Sequence, residues 1–303
     1  MQKAVAVDKL AKSYGKIKAV DEVSFSVDKG DIFGLIGPDG AGKSTLIRML
    51  NTLIVQDSGT AEILSYDTVK EYRKIRDIMG YMPGKFSLYP DLTIEENLKL
   101  FAAVFETTID ENYGLIQKIY SQLEPFKDRP AGKLSGGMKQ KLALSCALIH
   151  APEILFLDEP TTGVDPVSRK EFWEMLYGLK DRGITIIVST PYMDEASKCS
   201  RIGLMQEGRI MGIDTPEGIK KMFEGELYAI SGNNRYAMIK SLESWDRSRS
   251  VHAFGDSIHF MPEPETSEGC IKSYLDNKGL SGYRMQRIEP GIEDVFMSLM
   301  GKE

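Results

Sequence analysis

Residues Gly37-Pro38-Asp39-Gly40-Ala41-Gly42-Lys43-Ser44 constrain this chain more than any other stretch. They follow an apolar run, residues 31–36, that reads as a buried strand. They lead into residues 45–53, which read as a helix with Leu46, Met49, Leu50 and Leu53 on one face. The pattern G-x-x-x-x-G-K-S between a strand and a helix is that of a phosphate-binding loop. Its glycines let the backbone wrap around phosphates without side-chain clashes. The free N–H groups and the dipole of the helix start favour an anion there. Lys43 is expected on the β- and γ-phosphates of a nucleotide and Ser44 on Mg²⁺, with Thr45 able to reach the α-phosphate side. The rival reading, a glycine-rich turn carrying a surface lysine, is outweighed by the pattern and its strand-to-helix context together.

A second apolar run, Ile154-Leu155-Phe156-Leu157, ends in Asp158-Glu159. Strand ends are where α/β sheets place ligands. Asp158 is expected to reach Mg²⁺ directly or through a water, because Mg²⁺ prefers oxygen ligands and keeps several waters. Glu159 is expected to orient or deprotonate an attacking water. Alone, an apolar run ending in two carboxylates is better read as a solvated strand end, and it is the phosphate loop upstream that reverses that judgement. A third strand is expected over residues 184–188. Before it lies a helix with Phe172, Met175, Leu176 and Leu179 at helical spacing. Short apolar runs alternating with helical patterns give an α/β fold.

Residues 85–150 depart from that alternation and read as a helical insertion. Thr93 and Glu96 have the spacing of a capping box, and Ile94, Leu98, Phe101 and Phe105 form an apolar stripe behind it. Residues 1–220 therefore read as one domain with this insertion, and residues 221–303 as a second, smaller one. In the second, strands are expected at 227–231, near Val251, near Ile258 and at 283–288. Helices are expected at 236–242, 271–275 and 292–299. The order β-α-β-β-α-β fits a small ferredoxin-like α+β domain.

Bulk properties narrow the function. The 303 residues are 42% hydrophobic and 27% charged, enough for packed cores. A net charge of −6 argues against a nucleic-acid partner, which favours a basic surface. The opening MQKAVAVDKL lacks the apolar core of a secretion signal, and no stretch reaches the roughly 18 apolar residues of a membrane span. A cytosolic chain that meets a membrane only through a partner is expected. Cys146, Cys199 and Cys270 are scattered and odd in number, and with His150, His252 and His259 show no ligand spacing. They read as structural or solvent-facing.

Leu134-Ser135-Gly136-Gly137-Met138-Lys139-Gln140, upstream of Asp158-Glu159, resembles the signature of ABC-type ATPases. The chain is identified as resembling that family over roughly residues 3–220, with a P-loop NTPase core and a helical subdomain. The resemblance implies ATP and Mg²⁺ as cofactors and ATP hydrolysis coupled to transmembrane transport. It implies that Ser135, Gly136, Gly137 and Gln140 face the γ-phosphate of ATP held by a second ATPase subunit. Tyr14, in Lys12-Ser13-Tyr14-Gly15, matches the aromatic that stacks on adenine. Thr161-Thr162-Gly163-Val164-Asp165-Pro166 resembles the loop that communicates between subunits, with Asp165 as its acidic member. Among subfamilies the chain is most similar to ABC-2 type and YbhF-like multidrug exporters, in Gly37-Pro38-Asp39-Gly40 and in the tail Ile288-Glu289-Pro290-Gly291-Ile292-Glu293-Asp294-Val295-Phe296. The implied partners are integral-membrane permease subunits and a second ATPase subunit, at the inner face of the cell membrane.

Two positions depart from the family pattern. In Tyr81-Met82-Pro83-Gly84-Lys85-Phe86, Gly84 stands where the family carries a Gln that touches the Mg²⁺ or its water. In Val188-Ser189-Thr190-Pro191-Tyr192-Met193-Asp194-Glu195-Ala196, Pro191 stands where it carries a His that contacts the γ-phosphate. Proline brings neither a polar side chain nor an N–H donor. Its expected local role is to start the helix through Asp194 and Glu195. The losses imply a weakened ATP site, in a chain that pairs with a more complete subunit or acts as a non-hydrolysing ATP sensor. One set of motifs without a charged linker or long heptads disfavours a ribosome-acting or DNA-repair ATPase.

Overall fold

The structure is a computed structural model and describes residues 2–300 of the chain. It divides into two compact units at Pro216/Glu217.

The first unit begins with β1 (Lys3–Tyr14) and β2 (Ile17–Asp28), two long antiparallel strands that sequence reading did not anticipate. Next come β3 (Ile32–Ile36), α1 (Lys43–Leu50), β4 (Ser58–Ile63), β5 (Tyr66–Asp67), α2 (Tyr72–Ile78) and β6 (Met79–Met82). The helical stretch holds α3 (Ile94–Val104), α4 (Tyr113–Tyr120) and α5 (Gly136–Leu148). The chain then returns through β7 (Ile154–Asp158), α6 (Pro166–Lys180), β8 (Thr185–Thr190), β9 (Arg201–Gln206) and β10 (Arg209–Asp214). A short helix, α7 (Pro216–Lys220), crosses into the second unit.

Two sheets result. One is antiparallel, in the order β2-β1-β4-β5; the other has six strands in the order β10-β9-β3-β8-β7-β6. Strands β9, β3, β8, β7 and β6 run parallel, and β10 pairs antiparallel with β9. Every residue of β3, β7 and β8 is buried. Central parallel strands covered on both faces must read as unbroken apolar runs, which is why the sequence displayed them so clearly. Leu46, Ile47, Met49 and Leu50 of α1 share one core with Val5, Val7, Val23 and Phe25 of the antiparallel sheet and with Phe33, Leu35, Phe156 and Ile187 of the parallel one. Burying each such side chain contributes about 1.5–3 kcal/mol, so the phosphate loop sits on a firmly anchored helix.

Several expected boundaries move. Helix α1 starts at Lys43 and ends at Leu50, and Leu53 lies beyond it, 50% exposed. Helix α3 ends at Val104, and Phe105, its C-cap, stacks on the ring of His150 at 3.8 Å. Its capping box is formed: Thr93 Oγ1 accepts from Glu96 N–H (3.2 Å) and Glu96 Oε2 from Thr93 N–H (2.8 Å). Pro191 does not open the next helix. Tyr192 caps it and it runs as a 3₁₀ turn over Met193–Lys198, leaving Pro191 as the residue that turns the chain out of β8.

The second unit contains β11 (Leu227–Ser231), α8 (Arg235–Glu243), β12 (Ser248–Phe254), β13 (Ser257–Pro262), α9 (Glu268–Asn277), β14 (Arg284–Ile288) and α10 (Ile292–Met300). Its sheet order is β12-β13-β11-β14, every neighbour antiparallel. This is the split βαβ arrangement of the ferredoxin-like fold. Tyr228, Ile230, Ile258 and Phe260 on one sheet face pack against Met238, Leu242, Ile271 and Leu275 of the two helices. His259 Nδ1 lies 2.6 Å from Asp294 Oδ1 and its ring stacks on Phe254, so this histidine is tied into the unit's packing. Cys146 and Cys199 are buried and Cys270 is exposed, all as free thiols.

Candidate functional site

Parallel strands put their carboxyl ends on one edge, and the register decides which residues meet there. Ile36 of β3 is level with Thr190 of β8, Ser189 of β8 with Asp158 of β7, and Leu157 of β7 with Met82 of β6. The phosphate loop, Asp158-Glu159, Ser189 and the segments holding Gly84 and Pro191 therefore leave the sheet side by side.

The loop from Gly37 to Ser44 is held from beneath. Gly42, the N-cap of α1, has φ +101°, a conformation that glycine alone adopts without strain. A β-carbon on Gly42 would lie 2.1 Å from the Ala19 carbonyl oxygen, and one on Gly37 2.1 Å from that of Met205. The loop backbone thus rests directly on β2 and β9. Ala41 N–H donates to the Pro38 carbonyl (3.2 Å) and closes a turn through Asp39 and Gly40. Tyr14 ends β1 opposite Ile17, in the hairpin that leads to Ala19, and the residue is 49% exposed. An exposed ring there can stack on a flat base.

Lys43 is only 3% exposed. Its Nζ donates to the carbonyls of Gly37 (2.8 Å) and Pro38 (2.9 Å) and sits 3.2 Å from Glu159 Oε1. Ser44 Oγ donates to Asp158 Oδ1 (2.9 Å), which also accepts from Ser189 Oγ (2.7 Å). Glu159 follows directly with φ +50°, the left-handed region that non-glycine residues rarely occupy. Its N–H bonds to Ser189 through both Oγ (3.0 Å) and the carbonyl (3.1 Å). That strained turn swings the Glu159 side chain off the strand and over the loop. Ser189 was not singled out from sequence. The signal was a polar residue closing the apolar run of β8, and only the β7–β8 register shows that it faces Asp158. Burial, reinforced by the charge of Asp158, raises the Tyr81 phenol above its usual value, so it stays neutral beside the carboxylates.

Gly84 lies against this pair. A β-carbon there would sit 3.0 Å from the Asp158 carbonyl oxygen and 3.8 Å from the Glu159 Cβ. Pro191 follows Thr190, whose carbonyl accepts from Gly37 N–H (3.3 Å). Both departures from the family pattern thus fall at the site's edge.

Ser135 caps α5, its Oγ accepting from Met138 N–H (3.3 Å). A β-carbon on Gly137 would lie 2.6 Å from Ser168 Oγ, so the start of α5 packs hard against the first turn of α6. Gln140 and Ser168 line the same narrow gap between the two helices. Asp165 caps α6, its Oδ1 accepting from Val167 N–H (3.1 Å) and Ser168 N–H (3.0 Å). The Ser168 N–H bond is the main cause holding its carboxyl below the usual range. Among the described residues no group of three or more His, Cys, Asp or Glu is arranged to hold a metal. A serine hydroxyl and a carboxylate 2.9 Å apart suit Mg²⁺, a hard cation that takes few protein oxygens and completes its shell with water and phosphate. No helix among the described residues is long and apolar enough to cross a membrane.

Comparison with known proteins agrees with this geometry. A family model described as ABC transporter matches residues 20–162. The chain is 37% identical over 288 residues to the Probable multidrug ABC transporter ATP-binding protein YbhF of Escherichia coli, covering 93% of this chain and 49% of that protein. It is 34% identical over 306 residues to the Nod factor export ATP-binding protein I of Mesorhizobium japonicum, covering 99% of this chain and 88% of that one. The chain spans about half the length of the first curated relatives it matches. Among solved structures it is similar to an ATP-binding subunit of an ABC transporter, with a TM-score of 0.66 and 29% identity over 73% of this chain and 93% of the other. It is likewise similar to a dimeric ATP-binding cassette in a post-hydrolysis state bound to ADP and Pi, with a TM-score of 0.63 and 26% identity over 70% and 98%. The chain belongs to the ABC transporter family, among its ATP-binding proteins.

Proposed function

We propose that this chain is the ATP-binding and ATP-hydrolysing subunit of an ABC-2 type membrane exporter, with residues 1–220 as the ATPase domain and 221–303 as an accessory domain. The observation that carries the reading is the convergence of Lys43, Ser44, Asp158 and Glu159 within contacts of 2.9–3.2 Å at one sheet edge. Tyr14 stacks on adenine. The amides of residues 37–44 cradle the phosphates, with Thr45 at the α-phosphate side. Ser44 and Asp158 would hold Mg²⁺, which when bound neutralises charge on the phosphates. Lys43 and Glu159 form a switch. An arriving γ-phosphate competes with the Glu159 carboxylate for the Lys43 ammonium. As Lys43 turns to phosphate, Glu159 is released to take a proton from the attacking water. Its turn, fixed to Ser189, keeps it over the loop meanwhile.

Ser135, Gly136, Gly137 and Gln140 act in trans on ATP held by a second ATPase subunit, and Asp165 sits in the loop between the two. Closure of that pair rocks integral-membrane permease subunits at the inner face of the cell membrane. Driving a two-state change nearly to completion takes about 5.5 kcal/mol of differential affinity, which contacts from two subunits to one γ-phosphate can supply. Relatives named for multidrug transport and for Nod factor export support export as the direction. Gly84 and Pro191 favour a further reading, that this is the slower half of a heterodimer. Neither supplies the polar side chain that the family pattern puts beside the γ-phosphate, while the segment from Ser135 to Gly137 remains to complete a partner's site. The test is Mg²⁺-dependent phosphate release by the purified chain, with Glu159→Gln as control. Release abolished by that change supports an ATPase. ATP binding with no release above the control identifies a sensor, and neither binding nor release refutes the proposal.

A further inference from the structure

A second buried charge cluster lies beside the site and takes no part in the chemistry above. Glu195 is 0% exposed, and burying a carboxylate is costly unless it is fully hydrogen-bonded and paired. Its Oε2 accepts from Thr161 Oγ1 (3.1 Å). Its Oε1 accepts from Trp173 Nε1 (3.0 Å) and from Arg169 Nε (3.2 Å) and Nη2 (3.1 Å). Arg169 also grips Asp194 at 3.2 Å and lies over the Tyr192 ring at 4.3 Å. Thr161 and Trp173 are each 1% exposed.

Three segments meet at this carboxylate. Thr161 belongs to the loop after β7, two residues beyond Glu159, and Glu159 O accepts from Thr162 N–H (3.2 Å). Arg169 and Trp173 are one turn apart on α6, the helix that Asp165 caps. Tyr192, Asp194 and Glu195 belong to the segment that Pro191 turns away from β8. Proline at 191 brings no side chain to fasten that segment to the phosphates. The segment is fastened from behind, through Glu195.

We propose that Glu195 is a positioning residue for hydrolysis: by joining Thr161 to Arg169 and Trp173, it fixes the turn that carries Glu159 to the segment after β8. The proposal rests on the ATPase reading above. Thr161 transmits the constraint, and removing its hydroxyl leaves Glu195 paired with Arg169. Thr161→Val keeps the shape of the side chain and leaves the Glu195–Arg169–Trp173 contacts in place. Displacing a reacting group by about 1 Å can cost on the order of 10²-fold in rate. A loosened but tethered turn should lower kcat about tenfold, with KM for ATP changing less than about twofold on the same grounds. Thr161→Ser, which restores the donor, should recover most of the rate.

The experiment measures kcat and KM for Mg²⁺-dependent phosphate release by the full chain and by Thr161→Val, Thr161→Ser and Glu195→Gln, with thermal unfolding alongside. A kcat loss in Thr161→Val that Thr161→Ser repairs, measured at a temperature where every variant is fully folded, supports the proposal. A Thr161→Val rate equal to the parent's overturns it, as does a loss that only tracks stability. If the parent chain itself releases no phosphate, the ATPase reading has failed, and amide hydrogen exchange over residues 159–165 then decides the positioning role. Faster exchange in Thr161→Val supports it, and unchanged exchange overturns it.

Discussion

Gly84→Gln tests whether the glycine beside the acidic pair is what limits this site. Its backbone is outside the left-handed region, so a side chain there meets only the local space. The new β-carbon would lie 3.0 Å from the Asp158 carbonyl oxygen, so the neighbour must yield by a few tenths of an ångström. Crowding of that kind in packed regions costs about 1–3 kcal/mol. Against it, replacing glycine where the backbone permits returns about 0.4–1 kcal/mol through the unfolded chain. The net is a destabilisation of about 1 kcal/mol, which for a domain of this size lowers Tm by about 2–4 °C. Gly84→Ala carries the same β-carbon without the amide and isolates this steric part. The Gln side chain starts from a β-carbon 3.8 Å from the Glu159 Cβ, and its amide, two bonds further out, is placed to reach a water beside the two carboxylates. Restoring a positioning contact is worth up to about 10²-fold, and since Pro191 is still in place we expect about tenfold in kcat, or about 1.4 kcal/mol. The assay is steady-state phosphate release by wild type, Gly84→Ala and Gly84→Gln at saturating ATP and Mg²⁺. Equal kcat for Gly84→Gln and Gly84→Ala refutes the reasoning, because the amide would then contribute nothing that the β-carbon does not.

Other outcomes follow from single contacts. Asp158→Asn removes the anion that accepts from Ser44 and Ser189. It should raise the Mg²⁺ concentration needed for half-maximal turnover by about tenfold or more, in line with the loss of one charged ligand or its support; a Mg²⁺ titration of phosphate release checks this. Gly137→Ala drives a methyl to 2.6 Å from Ser168 Oγ and 2.9 Å from its Cβ. It should cost about 1–3 kcal/mol, read by thermal unfolding, and Ser168→Gly on the same chain should recover most of it. His150 is a pH effect with a definite sign. Burial is the main cause holding its imidazole below the usual value, although its Nε2 bonds to the Met79 carbonyl at 3.0 Å. With the folded pKa depressed, the unfolded state binds the proton first. The stability it gives is therefore present above about pH 6.5, the unfolded value, and is lost as pH falls from there through the folded pKa. Unfolding followed by denaturant from pH 8 to pH 5 should show this decline, and His150→Phe should flatten that share of it.

Residues 37–44 were legible because their chemistry is local. A phosphate loop needs its glycines and its lysine within eight consecutive positions, and β3 and β7 are buried on both faces, so their apolar runs stand out. The helix from Pro166 declared itself through the spacing of Phe172, Met175, Leu176 and Leu179, and α3 through Thr93 and Glu96. What stayed hidden depends on register or on long-range packing. Strands β1 and β2 alternate buried and exposed residues irregularly, with shifts in pairing between Val7 and Leu10 and between Leu10 and Lys12. No clean period of two marks such strands. Leu53 fitted the helical stripe of α1, but the helix stops at Leu50 and the chain turns before the stripe can continue.

Ser189 and Glu195 show the same limit at the level of function. Ser189 is 31 residues from Asp158 along the chain and Glu195 is 34 from Thr161. No spacing rule links residues that far apart. They meet because β7 and β8 are parallel neighbours, so the turns leaving them run alongside one another. That adjacency ties the two departures from the family pattern to one structural cause. Pro191 leaves the end of β8, while Gly84, from the end of β6, rests on the Asp158 carbonyl at the end of β7. On the proposed reading of a weakened site, losses at both thin the polar wall on one side of it. The ends of β3 and β7, which supply Lys43, Ser44, Asp158 and Glu159, are untouched. A site altered in that way should keep its grip on ATP and lose speed, so the two departures together predict a change in kcat much larger than any change in nucleotide affinity.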